Sequence, residues 1–152
     1  MVLKLLGMVR PDVATFGRKD YQQLTVIKAL VADLAVPVRI VEVPTTREPD
    51  GLAMSSRNVY LTDEQRQRAL GMIAALRAAR ESAAGGKNSP VILEARLLAD
   101  LAEHGLDEVD YAVVRDAQTL GNVQAGFDPS EAVALVACRL GKTRLIDNIA
   151  LG

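Results

Sequence analysis

Two short stretches of this chain carry side chains able to hold a phosphate. The first is Gly17-Arg18-Lys19-Asp20, with Gln23 one helical turn further on. It reads as the loop between a strand and a helix N-terminus, the place where open α/β sheets bind ligands. Free amides and the dipole of a helix N-terminus attract an anion there. Lys19 adds a mobile ammonium, and Gln23 offers both a donor and an acceptor. The second stretch is Met54-Ser55-Ser56-Arg57-Asn58. Its two hydroxyls can donate to phosphate oxygens, and the Arg57 guanidinium can grip a phosphate with two hydrogen bonds. A flexible loop of this kind can close over a triphosphate and stabilise charge building on departing pyrophosphate. Each stretch also has a plainer reading, a solvated loop before a capped helix and a polar turn, and neither pattern alone decides.

Other chemistry-bearing residues read as structural. His104 is the sole histidine; it sits at a helix end with no second ligand beside it to make a metal site. Cys138 lies in the apolar run 131–140 and reads as a small core residue. Residues 140–143, Leu-Gly-Lys-Thr, lack the leading glycines and strand-to-helix context of a phosphate loop and read as a hairpin turn. Glu48 and Asp50 are spaced to share a magnesium ion, although a solvated linker is the preferred reading.

Composition narrows the classes. The net charge of −1 and the absence of a Lys/Arg block argue against a duplex-binding patch. An aromatic content of 3% argues against a base-stacking surface. No apolar run has membrane-spanning length, and the start lacks a signal-peptide layout, so a cytoplasmic protein is expected.

Several elements must position the two stretches. Residues 2–8 have the pattern of the last turns of an amphipathic helix with nothing ahead to cap it. A short buried strand is expected at 12–16 and a helix from about Asp20 to Leu34, with Asp20 as N-cap and Gln23 completing a weak capping box. Leu24, Ile27, Val31 and Leu34 form its apolar stripe. Residues 38–43 follow as a strand of the kind that parallel sheets bury on both faces. Residues 44–58 shift to Pro, Thr, Ser, Asp and Gly without periodicity and read as a linker or functional loop. Thr62 is then expected to cap a helix over about 63–84, with Gln65 in the capping-box position. Residues 85–90 break that helix, and Ser89 and Pro90 open another with Leu93, Leu97 and Leu101 on one face, ending at His104 and Gly105. Strands are expected at 108–115, 131–140 and 143–149, the last two antiparallel.

The fold expected is α/β: a partial Rossmann-like unit over 1–45, the tail of a larger domain, then a small α+β domain over 46–152. In the second domain, helices pack on a three-stranded, mainly antiparallel sheet. The stretch around Thr45–Thr46 is expected to act as a hinge, with the second domain as a lid.

Taken together, residues 16–24 (Phe-Gly-Arg-Lys-Asp-Tyr-Gln-Gln-Leu) and 47–62, which include Met54-Ser55-Ser56-Arg57-Asn58, resemble the pantothenate synthetase family, the pantoate–β-alanine ligases. The resemblance runs through the chain to residues 143–149 but covers only the C-terminal half or so of such an enzyme. It implies a nucleotidyltransferase-superfamily fold, in which an HIGH-like motif works with a KMSKS-like loop, the latter matched by residues 54–58. It further implies ATP-dependent joining of pantoate and β-alanine through a pantoyl-adenylate, with release of AMP and pyrophosphate and use of Mg²⁺. Gly17, Lys19 and Asp20 would line the ATP site, and Gln23 would hold pantoate. Thr46 would offer a backbone contact to adenine, and Met54, Ser55, Ser56 and Arg57 would close over the ATP phosphates. Lys19, Ser55, Ser56 and Arg57 would thus carry the catalytic roles. A homodimer is implied for the complete enzyme.

Two departures stand out: Arg18 takes a position where the family usually has Glu, and Thr46 one that is more often apolar. No HIGH-like segment occurs in these 152 residues. The resemblance therefore implies that the chain alone is not a competent ligase. Two alternatives stand beside it: a non-catalytic nucleotide-binding or regulatory module, and another nucleotidyltransferase of the superfamily.

Overall fold

The computed structural model describes residues 1–86, 89–106 and 108–152. The expected helix break at 85–90 therefore falls partly outside the described residues, at Lys87 and Asn88. The chain divides into two compact units, Met1–Thr45 and Thr46–Gly152.

In the first unit, helix α1 (Val2–Val9) ends at Arg10, whose left-handed backbone lets its amide reach the Leu6 carbonyl at 2.8 Å. Strand β1 (Val13–Gly17) passes through a 3-10 turn, Arg18–Asp20, into α2 (Tyr21–Asp33), and the chain returns as β2 (Arg39–Val43). β1 and β2 pair in parallel, from Val13 beside Arg39 to Gly17 beside Val43. Two expectations need correction here. Both strands were expected to be buried, yet β1 alternates between exposed and half-buried residues, β2 is half-buried only over its three central residues, and the buried apolar side chains of this unit are Leu6, Leu24 and Ile27. A parallel sheet is buried only where layers cover both faces, and a two-stranded sheet cannot supply them. The Asp20 capping box does not form either. Asp20 occupies the N-cap position without a side-chain bond, at φ −91° and ψ 62°. That is not the extended backbone from which a cap side chain folds back onto the helix amides.

In the second unit, the chain from Thr46 leads into a 3-10 turn at Ser56–Tyr60, then α3 (Asp63–Ala84), α4 (Pro90–Glu103), β3 (Glu108–Asp116), β4 (Ala132–Leu140) and β5 (Thr143–Ala150). The start of α3 follows local sequence rules. Thr62 Oγ1 accepts from the Gln65 amide at 3.2 Å, and the Gln65 side chain accepts from the Thr62 amide at 3.1 Å, a complete capping box. Asp63 and Glu64 lie at the positive end of the helix dipole. Pro90 opens α4, although Ser89 makes no side-chain cap bond, and Leu93, Leu97 and Leu101 are fully buried along one face. Gly105, at φ 71°, turns the chain after His104 in a conformation that costs a residue with a Cβ far more.

The sheet is antiparallel in the order β3-β4-β5. Gly141 and Lys142 make the tight turn between Leu140 and Thr143, so the hairpin reading of this segment holds. Central strand β4 is buried apart from Arg139, and alternate residues from Ala132 to Leu140 meet the apolar faces of α3 and α4. Cys138 sits in that core, and burial pushes its thiol up to about 11. The two helices meet closely where Gly71 of α3 faces His104: a Cβ on Gly71 would lie 2.3 Å from the His104 Cβ. His104 is therefore a packing residue.

Candidate functional site

The two stretches that drew attention in the sequence fall in different units. In the first, Gly17 ends β1, and Arg18, Lys19 and Asp20 form the turn into α2, at the carboxyl end of a parallel pair. Gly17 and Asp20 are exposed and Lys19 is half-buried. Gln23 is exposed one turn along α2 and lines a groove with Gln22, Val26 and the start of α1. Arg18 is tied back to β2: its Nε donates to Glu42 at 2.6 Å. Lys28 donates to the same carboxylate. The Lys28 bond, reinforced by Arg18, holds the Glu42 carboxyl below the usual range.

In the second unit, residues 46–54 form a small hairpin rather than a structureless linker. The Met54 amide donates to the Thr46 carbonyl at 2.9 Å, and the Glu48 amide to the Leu52 carbonyl at 2.8 Å. Thr46 thus has its carbonyl in the ladder, while Met54 is exposed. Directly beyond the hairpin, Ser55 caps the 3-10 turn: its Oγ accepts from the Arg57 amide at 3.2 Å. The Ser55 hydroxyl proton is not used in that bond and is available to donate. Ser56 and Arg57 are exposed, and Arg57 rests its guanidinium on the Arg144 carbonyl of β5 at 3.3 Å.

Two sets of bonds hold the hairpin. Arg47 donates to both oxygens of Asp147 on β5, at 2.7 and 3.0 Å, and also to the Gly51 carbonyl at 3.2 Å. Asp147 is only 5% exposed. On the other side, Arg66 of α3 donates to Glu48 at 2.5 Å and to Asp50. Asn58, 8% exposed, donates from its side-chain nitrogen to Glu48 at 2.6 Å and to the Ala53 carbonyl at 3.1 Å. Its Oδ1 is buried without a partner among the described residues. The Asn58 bond, followed by Arg66, lowers the Glu48 carboxyl. The Leu52 amide, followed by Arg66, lowers that of Asp50. Both acids are engaged by one arginine, so neither the solvated linker nor the magnesium pair describes them. Among the described residues no cluster of three or more His, Cys, Asp or Glu is gathered as a metal cage.

Sequence reasoning missed these supports. Arg47, Arg66 and Asp147 are not singled out by the sequence reading, and Asn58 is given no supporting role there, although one signal is present. Leu145 and Asp147 share the buried alternation of β5, and a carboxylate on that face requires a partner.

No helix among the described residues is long and apolar enough to cross a membrane. The profile of the family described as "Pantoate-beta-alanine ligase" matches residues 1–150. The pantothenate synthetase of Mycolicibacterium smegmatis is 54% identical over 99% of this chain and 46% of its own length. The crystal structure of pantothenate synthetase from Thermus thermophilus superposes with a TM-score of 0.90 at 41% identity, covering 99% of this chain and 53% of that one. A pantoate-beta-alanine ligase from Francisella tularensis, complexed with beta-gamma ATP and beta-alanine, gives a TM-score of 0.68 at 29% identity, over 99% and 48%. This chain spans about half the length of the curated relatives it matches.

Proposed function

Since the chain belongs to the pantoate–β-alanine ligase family of pantothenate biosynthesis, we propose that it serves the ATP-dependent condensation of pantoate with β-alanine. In that reaction a carboxylate oxygen of pantoate attacks the α-phosphorus of ATP, and the bond to pyrophosphate breaks. The β-alanine amine then attacks the acyl carbon of the pantoyl-adenylate, and AMP leaves with the oxygen that came from pantoate. Neither step requires a covalent bond to the protein, so the protein's part is positioning and charge stabilisation.

Lys19, with Gly17 and Asp20, receives ATP at the start of α2, and Gln23 holds pantoate one turn away. Thr46 meets the adenine through its backbone. Met54, Ser55, Ser56 and Arg57 cover the phosphates, the hydroxyls and guanidinium neutralising charge on the leaving pyrophosphate. The observation that carries this reading is the hairpin 46–54, which delivers Ser55, Ser56 and Arg57 together at its end, two of the three exposed. The Francisella relative's ATP and β-alanine complex supports the same substrates. Magnesium has no cage among the described residues, since Glu48 and Asp50 are both held by Arg66, and no step is assigned to it. The remaining parts of the reading are a second unit that closes as a lid about Thr45–Thr46, a homodimer for the complete enzyme, a cytoplasmic location, and a requirement for groups beyond these 152 residues.

The test is pantoate-dependent exchange of labelled pyrophosphate into ATP, by the chain alone and mixed with the N-terminal half of a pantothenate synthetase. Exchange confined to the mixture is expected. Exchange by the chain alone would overturn the requirement for the second half, and nucleotide exchange independent of pantoate would overturn the substrate.

A further inference from the structure

Of the four loop residues offered to phosphate, Met54, Ser56 and Arg57 are exposed and Ser55 is half-buried. Their placement comes from the hairpin behind them, and the hairpin is held by an ion pair whose members lie 100 residues apart in sequence. We propose that Arg47 and Asp147 are positioning residues of the reaction, forming a brace that fixes the Met54–Arg57 loop in its phosphate-ready geometry. This rests on the ligase reading above.

The geometry distinguishes the brace from an ordinary surface pair. Exposed ion pairs are screened and contribute little, but the Asp147 side chain is 4% exposed and both of its oxygens are occupied by one guanidinium. A planar fork holding two carboxylate oxygens fixes direction as well as distance. The same guanidinium reaches the Gly51 carbonyl at the hairpin's turn, so Arg47 closes the hairpin and anchors it to β5 at once. Asp147 Oδ1 also accepts from the Asn148 amide at 2.8 Å, which fixes the carboxylate in its turn. β5 is the strand whose Arg144 carbonyl receives Arg57. One strand therefore sets both the root of the loop and the resting place of its guanidinium. A lysine at position 47 would preserve the charge but offers a point contact in place of the fork.

The inference makes separate demands on structure and on turnover. In the 152-residue chain, Arg47→Lys and the near-isosteric Asp147→Asn are compared with wild type by amide hydrogen exchange and by pyrophosphate exchange in the reconstituted mixture. Leu97→Val in α4 serves as a control that loosens the core without touching the hairpin. Protection of the Met54 and Asn58 amides is expected to fall at least ~10-fold in both brace variants, with β3–β4 amides unchanged. The maximal exchange rate should fall ~10- to 100-fold, as misplacement by about an ångström can cause, while the KM for pantoate stays constant. Leu97→Val should lower the melting temperature yet leave the maximal rate intact. Unchanged protection of Met54 and Asn58 would overturn the brace. So would lost protection with an undiminished rate, or a rate loss that Leu97→Val reproduces. Failure of the ligase reading shows in the wild-type mixture itself, whereas failure of the brace shows only in the variants.

Discussion

Gly71→Ala sets two physical effects against each other, and their sizes decide the outcome. Gly71 lies within α3, eight residues after its first residue, Asp63. Helix propensity alone says that alanine there should stabilise by about 1 kcal/mol. The structure says otherwise. The new Cβ would lie 2.3 Å from the His104 Cβ and 2.5 Å from its Cγ. Ordinary carbon contacts need about 3.5 Å, so the groups must part by about 1.2 Å. The His104 Cβ is fixed to the backbone at the end of α4 and cannot rotate away. Relief therefore requires the two helices to separate along a seam that includes Leu76, Leu97 and Leu101, all 0% exposed. Overpacking of this severity belongs at the upper end of the usual range, about 3 kcal/mol, which leaves a net loss of about 2 kcal/mol after the propensity gain. Urea unfolding followed by far-ultraviolet circular dichroism reads this directly: the midpoint should fall with the slope unchanged. A midpoint equal to or above wild type would refute the close α3–α4 contact. The companion change His104→Ala should restore little of the loss in the Gly71→Ala background, since it removes the ring carbon at 2.5 Å but keeps the Cβ at 2.3 Å.

The remaining expectations concern the loop, acid and the thiol. Arg57→Ala in the reconstituted mixture should lower the pyrophosphate-exchange rate by ~10²- to 10³-fold while leaving the unfolding free energy of the chain from urea titration within about 0.5 kcal/mol of wild type, because Arg57 is exposed; an unchanged rate would remove it from the chemistry. The Glu48 and Asp50 carboxyls titrate lower when folded than when unfolded. Their stabilisation is therefore complete above the ordinary carboxylate range and is lost as acid protonates the folded groups, between about pH 5 and pH 3 or below. The urea midpoint should fall over that interval, and less so in Arg66→Ala, which lacks their shared partner. Cys138, its thiol raised to about 11 by burial, should react with iodoacetamide at pH 8 only as fast as the second unit opens; rapid labelling of the native chain would contradict its place in the core.

What could be read from the sequence was what is decided locally. The Thr62–Gln65 capping box, the Leu93-Leu97-Leu101 face and the hairpin at Gly141 each depend on residues within a few positions of one another, and each forms as expected. The Asp20 cap failed because a 3-10 turn sets its backbone before the helix begins. The burial expected for β1 and β2 failed because an apolar run records a preference for burial, and covering layers must come from other segments. The residues 44–58 looked structureless because their order depends on partners far away, Arg66 in α3 and Asp147 in β5. Periodicity cannot report a charge pair 100 residues apart. The residues proposed to meet phosphate stand out by type and spacing, whereas the framework that presents them does not.

The central claim is that pantoate is activated at the α-phosphorus of ATP beneath the Ser55-Ser56-Arg57 loop. It is tested most directly with pantoate labelled with oxygen-18 in its carboxylate, supplied with ATP and β-alanine to the reconstituted mixture. The account predicts that one labelled oxygen appears in AMP for each pantothenate formed, and that Arg57→Ala suppresses label and product together. Label recovered in orthophosphate alongside ADP would place the attack at the γ-phosphorus and contradict the account.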